Sequence, residues 1–446
     1  MDFVFLSTQG WTEMGGAGRP LHFLARELLQ RGERVLFVEV VASNTTPSDA
    51  NFTLLNFKTL GFDERALRRA WFGLDPQMDF SEAFTRALAA FEARHVERVV
   101  IYGDPFVPFL AWFPLFRARG YKIVYDALDD FEAFPEIGLY FANRDAEQYL
   151  VAHSDLVVAV STTLVKKLAQ WEHRAPIQLL RQGFDPTTFP VGVNFRVDPI
   201  QSRKPKLGFW GHVNAFNIDV TLIEYLARER PDWTIQLMGP IDQDSSLPRV
   251  GDRLRVLPNV QFVGAVPHDK LPSYLKSFDV ALVPFPDNAF NRARDPLKVF
   301  EYLSGCKPVV AAHTPQLAGM PYVLVADSPQ DYLAAVERAL ALDVDCAQVR
   351  AYLETCTWSA RLDQLLTWLA QIVPAPNSPI PNVNLWYADA SLTKNIQEYV
   401  SRTEQLLNER IRYAKTLESQ ARTKQAQINQ LQGNNLLWRL KQSIMK

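Results

Sequence analysis

RDPLKVFEYLSGCKPVVAA, residues 294–312, reads as the start of a helix, a short turn and a buried strand. Asp295-Pro296 predicts the helix N-terminus, since Asp can cap free amides and Pro at the first helical position forfeits no hydrogen bond. Leu297, Phe300 and the Tyr302-Leu303 pair are spaced for one apolar face, and Gly305 is placed to end the helix. After Lys307-Pro308, Val309-Val310-Ala311-Ala312 is apolar enough for a strand buried on both faces. Lys298 and Glu301 stand three positions apart and therefore share a helix face. As an ordinary surface pair they would stabilise the helix only weakly. As a site they suit a diphosphate joined to a ribose: Lys298 and the amides after Pro296 meet phosphate, and Glu301 accepts from ribose hydroxyls.

Working outward, both halves of the chain repeat one pattern of strand, Gly-bearing turn, helix and strand. In the second half a strand over 207–210 leads to the turn Gly211-His212-Val213-Asn214, a helix over 219–228 and a strand over 233–238 closed by Gly239-Pro240. Further strands are predicted over 260–263 and 280–284, with a short helix over 271–278 between them. The first half opens with a strand over 3–6, the Gly-rich run 10–19, a helix over 21–30 and a strand over 35–38. Its remaining strands fall at 99–102, 122–126, 155–160 and 176–180, and its helices at 81–94, 108–119, 145–151 and, behind Ser161 as a cap, 163–171. Residues 41–80 are mixed and polar, with helical patches over 64–72. This is an α/β chain of two Rossmann-like halves. The dinucleotide fingerprint G-x-G-x-x-G is not met, because Leu21 stands where a third small residue is required.

The 446 residues leave room for two or three domains, and 48% apolar with 22% charged residues describes a globular protein. A net charge of −2 gives no reason to expect a nucleic-acid partner. The chain begins directly in a strand without a basic leader, and no apolar run reaches about 18 residues. Cys306, Cys346 and Cys356 stand at unrelated spacings, so each is expected as a small buried residue and neither a disulfide framework nor a zinc site is expected. A cytoplasmic protein follows.

From Pro296 to Val310 the chain aligns without a gap with a P-x-K-x-x-E-Y-L-x-x-G-K-P-V-V pattern. It thereby resembles retaining glycosyltransferases of the GT-B fold (glycosyltransferase family four, group one), in the branch that makes surface polysaccharides and teichuronic acid. Residues 219–240, 154–161, 181–189 and the Asp126–Asp130 segment resemble further runs of that family, so the likeness spans roughly residues 1–365. It implies two facing Rossmann-like domains: residues 1–190 for the acceptor and 205–357 for the nucleotide sugar. A helix over 358–373 would cross back to the first domain. The substrates implied are a nucleotide-diphosphate sugar and a glycan or lipid-linked acceptor, with no cofactor and no metal. Gly15 and Gly16 resemble the family's G-G-x-x-R loop, which faces the sugar-diphosphate; as a local feature they are a tight turn. Gly211, Pro296, Lys298 and Glu301 complete the implied donor site.

Asp126, Asp129 and Asp130 cluster at the carboxyl end of a strand, where ligands of parallel sheets gather. The D-x-x-D-D spacing fits a D-x-D metal motif poorly. Asp129 and Asp130 instead read as acceptor or sugar hydroxyl contacts, or as helix caps. Many relatives carry Arg or Lys in the turn after the second half's first strand, to neutralise the leaving diphosphate. This chain has His212 there, which could do part of that work or be a surface residue. The larger family also places two glutamates eight positions apart; counting back from Glu301 gives Ala293. A catalytically inactive glycosyltransferase-like scaffold is therefore the alternative.

Residues 374–385 form a stiff Pro-rich linker, and 386–446 a long helical, coiled-coil-like tail. From Ser401 onward it holds nine Lys/Arg against three Glu, a net of +6, and ends in the basic amphipathic run Leu436-Leu437-Trp438-Arg439-Leu440-Lys441. That composition suits peripheral contact with an anionic membrane surface, or self-association.

Overall fold

The computed structural model describes residues 1–11, 19–40, 43, 48–57, 81–93, 95–137, 144–192, 205–241 and 250–375. Among the described residues thirteen strands form two sheets. The first contains β1 (Asp2–Ser7), β2 (Arg34–Glu39), β3 (Phe52–Asn56), β4 (Arg98–Tyr102), β5 (Lys122–Ala127), β6 (Leu156–Ala159) and β7 (Ile177–Leu179), ordered β3-β2-β1-β4-β5-β6-β7. The second contains β8 (Lys206–Trp210), β9 (Thr234–Met238), β10 (Val260–Gly264), β11 (Val280–Val283), β12 (Val309–Ala312) and β13 (Val323–Ala326), ordered β10-β9-β8-β11-β12-β13. Every pairing is parallel. Strands covered on both faces need apolar side chains throughout, which is why β1, β11 and β12 are buried along their length. Strand order reverses at β1/β4 and again at β8/β11, opening a crevice at the carboxyl ends in each lobe.

Local chemistry sets most helix starts. Ser161 accepts from Leu164 N at 3.2 Å and Asp219 from Leu222 N at 3.0 Å, capping helices Thr162–Leu168 and Val220–Glu229. Several elements differ from expectation. The single helix over 108–119 is two, Val107–Leu110 and Phe113–Ala118, because Pro114 has no N–H to continue the first helix's ladder. β3 and β13, not expected from the sequence, are edge strands with half-exposed residues. The 64–72 patches lie outside the described residues.

The cysteine expectation is overturned. Cys306 and Cys346 form a disulfide with Cα atoms 5.5 Å apart, joining the turn after helix Lys298–Ser304 to the start of helix Cys346–Glu354. They are 40 positions apart, and only the packing of those helices brings them together. The glycine of the aligned pattern falls on Cys306, which adopts φ +53°, while Gly305 ends the helix at φ −78°. Denatured without reductant, the purified chain should show one reactive thiol, the buried Cys356; a count of three in a thiol-titration assay would remove the bond.

Two neighbouring chain crossings join the lobes. Phe184 N donates to Cys356 O at 2.7 Å, and Trp358 N donates to Phe184 O at 3.2 Å. Helix Trp358–Leu369 then buries Trp358, Leu362, Leu365 and Leu369 in the first lobe's core. Arg31 ties it down through Asp363 at 2.6 Å. The described residues all fall within one compact unit. The expectations for the tail over 386–446 lie outside the described residues. Among the described residues no helix is long and apolar enough to cross a membrane.

Candidate active site

Loops at the carboxyl ends of the two sheets meet. Thr162 N and Oγ1 donate to Gln316 Oε1 at 2.9 and 3.0 Å, Thr163 Oγ1 donates to Arg292 O at 3.3 Å, and Ala289 N donates to Glu136 Oε2 at 2.8 Å. A small apolar cluster of Phe131, Ala133, Phe134 and Phe290, with Phe216 against it, closes over the same gap. The expected site residues line up along this gap.

Helix Lys298–Ser304 begins two residues after Pro296, with Leu297 at the cap position and no side-chain cap bond. Asp295 therefore does not cap it. Its buried carboxylate takes Arg181 Nε at 3.1 Å, Arg181 Nη2 at 2.7 Å and Gln182 N at 3.0 Å. A charge-assisted fork to an arginine is stronger than a cap bond, and Arg181 arrives from the end of β7. Pro296 is buried beside it.

Lys298 and Glu301 share a face, as the helix spacing requires, and that face is turned inward. Lys298 Nζ lies 4.3 Å from the Phe209 ring centre and 5.3 Å from that of Phe285. It rests on the turn after β8: a Cβ added to Gly211, whose φ is +137°, would come 2.7 Å from Nζ. The neighbouring turn after β9 touches the same place, where a Cβ on Gly239 would meet Gly211 O at 1.9 Å. Only glycine fits either position. Gly211 and Lys298, read separately from the sequence, are thus in contact.

Glu301 is 8% exposed and accepts from Trp210 Nε1 and His268 Nε2, each at 2.9 Å. The second bond places a proton on His268 Nε2, since a carboxylate only accepts. Donors from the end of β8 and from the loop after β10 thus orient the Glu301 carboxylate. Trp210 and His268 were not singled out from the sequence. The only signal was their place at the end of β8 and in the loop after β10.

On the facing lobe Asp104, Asp126, Asp129 and Asp130 follow β4 or close β5. Asp104 accepts from Thr8 N and Oγ1 at 2.9 and 2.8 Å. Burial and the neighbouring Asp104 push Asp126 up to about 7. Burial pushes Asp129 up to about 6, with Arg294 opposing and Asp104 and Asp130 adding to it. Among the described residues Asp129 has no hydrogen-bond partner, and Arg294 acts on it through charge. Asp130 is occupied: it pairs with Lys167 and accepts from Ala133 N at 3.3 Å, ahead of the short helix Phe131–Ile137. The capping alternative describes Asp130 and leaves Asp129 facing the gap. His212 is exposed next to Gly211. Gly15 and Gly16 lie outside the described residues. Ala293 is fully buried against the first lobe's core. Among the described residues no group of three or more His, Cys, Asp or Glu could hold a metal.

With this geometry in place, residues 204–342 match the family model described as Glycosyl transferases group 1. A 144-residue stretch, 31% of this chain, is 35% identical to the putative teichuronic acid biosynthesis glycosyltransferase TuaH of Bacillus subtilis (strain 168). The match covers 36% of that protein, so the chain spans about a third of the length of this curated relative. Among solved structures, sucrose-phosphate synthase from Thermosynechococcus elongatus superposes with a TM-score of 0.61 at 16% identity, over 83% of this chain and 98% of that one. HepE of Anabaena, solved with UDP and glucose, gives 0.61 at 16% over 83% and 100%. WaaG, a glycosyltransferase involved in lipopolysaccharide biosynthesis, gives 0.53 at 14% over 90% and 98%. At these identities the structures speak to fold, and the fold is GT-B.

Proposed function

We propose that the protein is a glycosyltransferase that moves a sugar, with retention, from a nucleotide-diphosphate sugar to a glycan or lipid-linked acceptor in surface polysaccharide synthesis. The observation that carries the reading is the pairing of Lys298 with the Gly211 turn one helical turn from a carboxylate, Glu301, steered by Trp210 and His268. An ammonium over a glycine turn suits a diphosphate, and an oriented carboxylate suits a ribose diol. The match of residues 204–342 to group 1 glycosyltransferases supports it. The acceptor would lie on the Asp129 side, where a carboxylate can take a hydroxyl. Stabilising the departing diphosphate needs positioned donors rather than a metal or cofactor. In calorimetric titrations Glu301→Ala and Lys298→Ala should each weaken nucleoside-diphosphate binding by about ten-fold or more, the worth of one charged hydrogen bond. Unchanged binding in both variants would remove the site.

Ala293 favours a second reading, the inactive scaffold, because no acid stands where the larger family has its first. Transfer to an acceptor, or donor hydrolysis, by the purified chain decides between them. A nucleotide-sugar panel screened by thermal stabilisation would name the donor. Placement at the cytoplasmic face of a membrane, and pairing between tails, rest on the composition of residues 386–446.

A further inference from the structure

The turn after β8 lacks the basic residue that would be expected to help Lys298 with a diphosphate, and a different loop brings a cation to that place. Arg294 lies between helix Ala289–Arg292 and Lys298, half-buried, with its guanidinium carbon 4.4 Å from the Phe285 ring centre and 5.1 Å from that of Phe290. Phe285 is also the ring beneath Lys298, so both cations lie within 5.3 Å of one ring centre. Both also touch the turn after β8: Lys298 at Gly211, and Arg294 Nη1 by donating to Asn217 Oδ1 at 2.9 Å. Nη1 donates in addition to Asn291 Oδ1 at 3.2 Å. Asn291 is itself pinned, its Nδ2 donating to Phe216 O and Pro286 O at 3.0 and 3.1 Å. One edge of the guanidinium is thus fixed by the second lobe, and Nε and Nη2 have no partner among the described residues.

Two donors left open on a half-buried guanidinium whose other edge is fixed are suited to an anion's oxygens. Among the described residues the carboxylate that acts on Arg294 is Asp129 of the other lobe, through its charge. Loss of water presses the Arg294 pKa below its usual value, and Asp129 opposes that. Arginine remains charged under either influence.

We propose that Arg294 is the second cation of the donor site: Nε and Nη2 take oxygens of the diphosphate that Lys298 and the Gly211–Asn217 turn hold from the other side. This rests on the proposed donor reading and adds a residue that neither the alignment pattern nor the family comparison singles out. The planar fork matches two phosphate oxygens, whereas Lys298 acts as a point charge.

The test uses the full-length chain, titrated calorimetrically with UDP, ADP and GDP and then with the monophosphate of whichever base binds. Arg294→Ala should weaken diphosphate binding about 10- to 100-fold while changing monophosphate binding much less. Arg294→Lys should recover part of the loss, and it decides the matter if the alanine variant fails to fold. Wild-type diphosphate affinity in Arg294→Ala, with Lys298→Ala impaired, would remove Arg294 from the site and leave the donor reading standing. Equal loss for monophosphate and diphosphate would also overturn the proposal, since a merely structural arginine gives that result. Failure of the wild-type chain to bind any of the three diphosphates would remove the donor reading and the proposal with it.

Discussion

Unfolding of the Asp295→Ala variant is expected to require roughly 3–5 kcal/mol less than that of the natural chain, the cost of breaking a buried ion pair from one side. Asp295 has a fully buried side chain and receives three donors, two from Arg181 and one from Gln182 N. All three belong to the strand end of the first lobe, whereas Asp295 belongs to the second. Removal leaves a half-buried guanidinium and a buried amide without their acceptor. The double variant Arg181→Met/Asp295→Leu should cost much less than the two single changes together, because the desolvated charge goes with its partner. Urea unfolding of the four proteins forms the cycle. A loss below about 1 kcal/mol in Asp295→Ala would mean that the pair is solvated and that the lobes are held elsewhere.

The second large effect is a loss of stability on the alkaline side. Glu147, on helix Arg144–His153, is 2% exposed and accepts from the Tyr125 hydroxyl at 2.8 Å. Burial pushes its carboxyl up to about 8; Tyr125 and Lys167 oppose this, and Asp130 and Glu132 add to it. Asp126 is pushed up to about 7. A carboxyl with a raised folded pKa holds its proton in the folded chain where the unfolded chain has released it. The stabilisation from these two groups is therefore complete below their unfolded values near 4 and is lost as pH rises through 7 and 8. His22 and His153 run the other way, since burial lowers both, His22 to about 4. Their contribution is settled once pH exceeds the unfolded histidine value of about 6.5. Between pH 6.5 and 8.5 the carboxyls act alone among these groups, and Glu147 should cost about 2 kcal/mol over that interval. Glu147→Gln, which keeps the shape and can still bond Tyr125, should flatten the slope and raise the melting temperature at pH 8.5. The same decline in both proteins would exclude Glu147 as its source.

How much of this could be read beforehand divides along a physical line. The two lobes were legible because a parallel sheet covered on both faces demands unbroken apolar strands, and β1, β11 and β12 are such runs. The cap at Ser161 was legible because a cap bond spans only three residues. The shared face of Lys298 and Glu301 followed from helix geometry alone. The edge β3 was not legible, since its half-exposed run is broken by Thr53 and Asn56; β13, Val323–Ala326, has the apolar run but was not expected as a strand.

What defeated local reading was competition from distant partners. Asp295 stands where a cap belongs, yet Arg181, 114 positions away, offers a better bond. Cys306 and Cys346 have no spacing that announces a bridge; helix packing supplies the 5.5 Å approach. Asp129 and Asp130 look equivalent in sequence, and only Lys167 distinguishes them by neutralising one. The residues that aim Glu301, and the arginine that shares a ring with Lys298, come from separate strand ends. The chain's pattern of apolar runs and short-range hydrogen bonds determined the α/β architecture and the face that carries Lys298 and Glu301. Which side chains meet that face was decided by tertiary structure, because contacts between strand ends depend on sheet order, and no local spacing encodes that order.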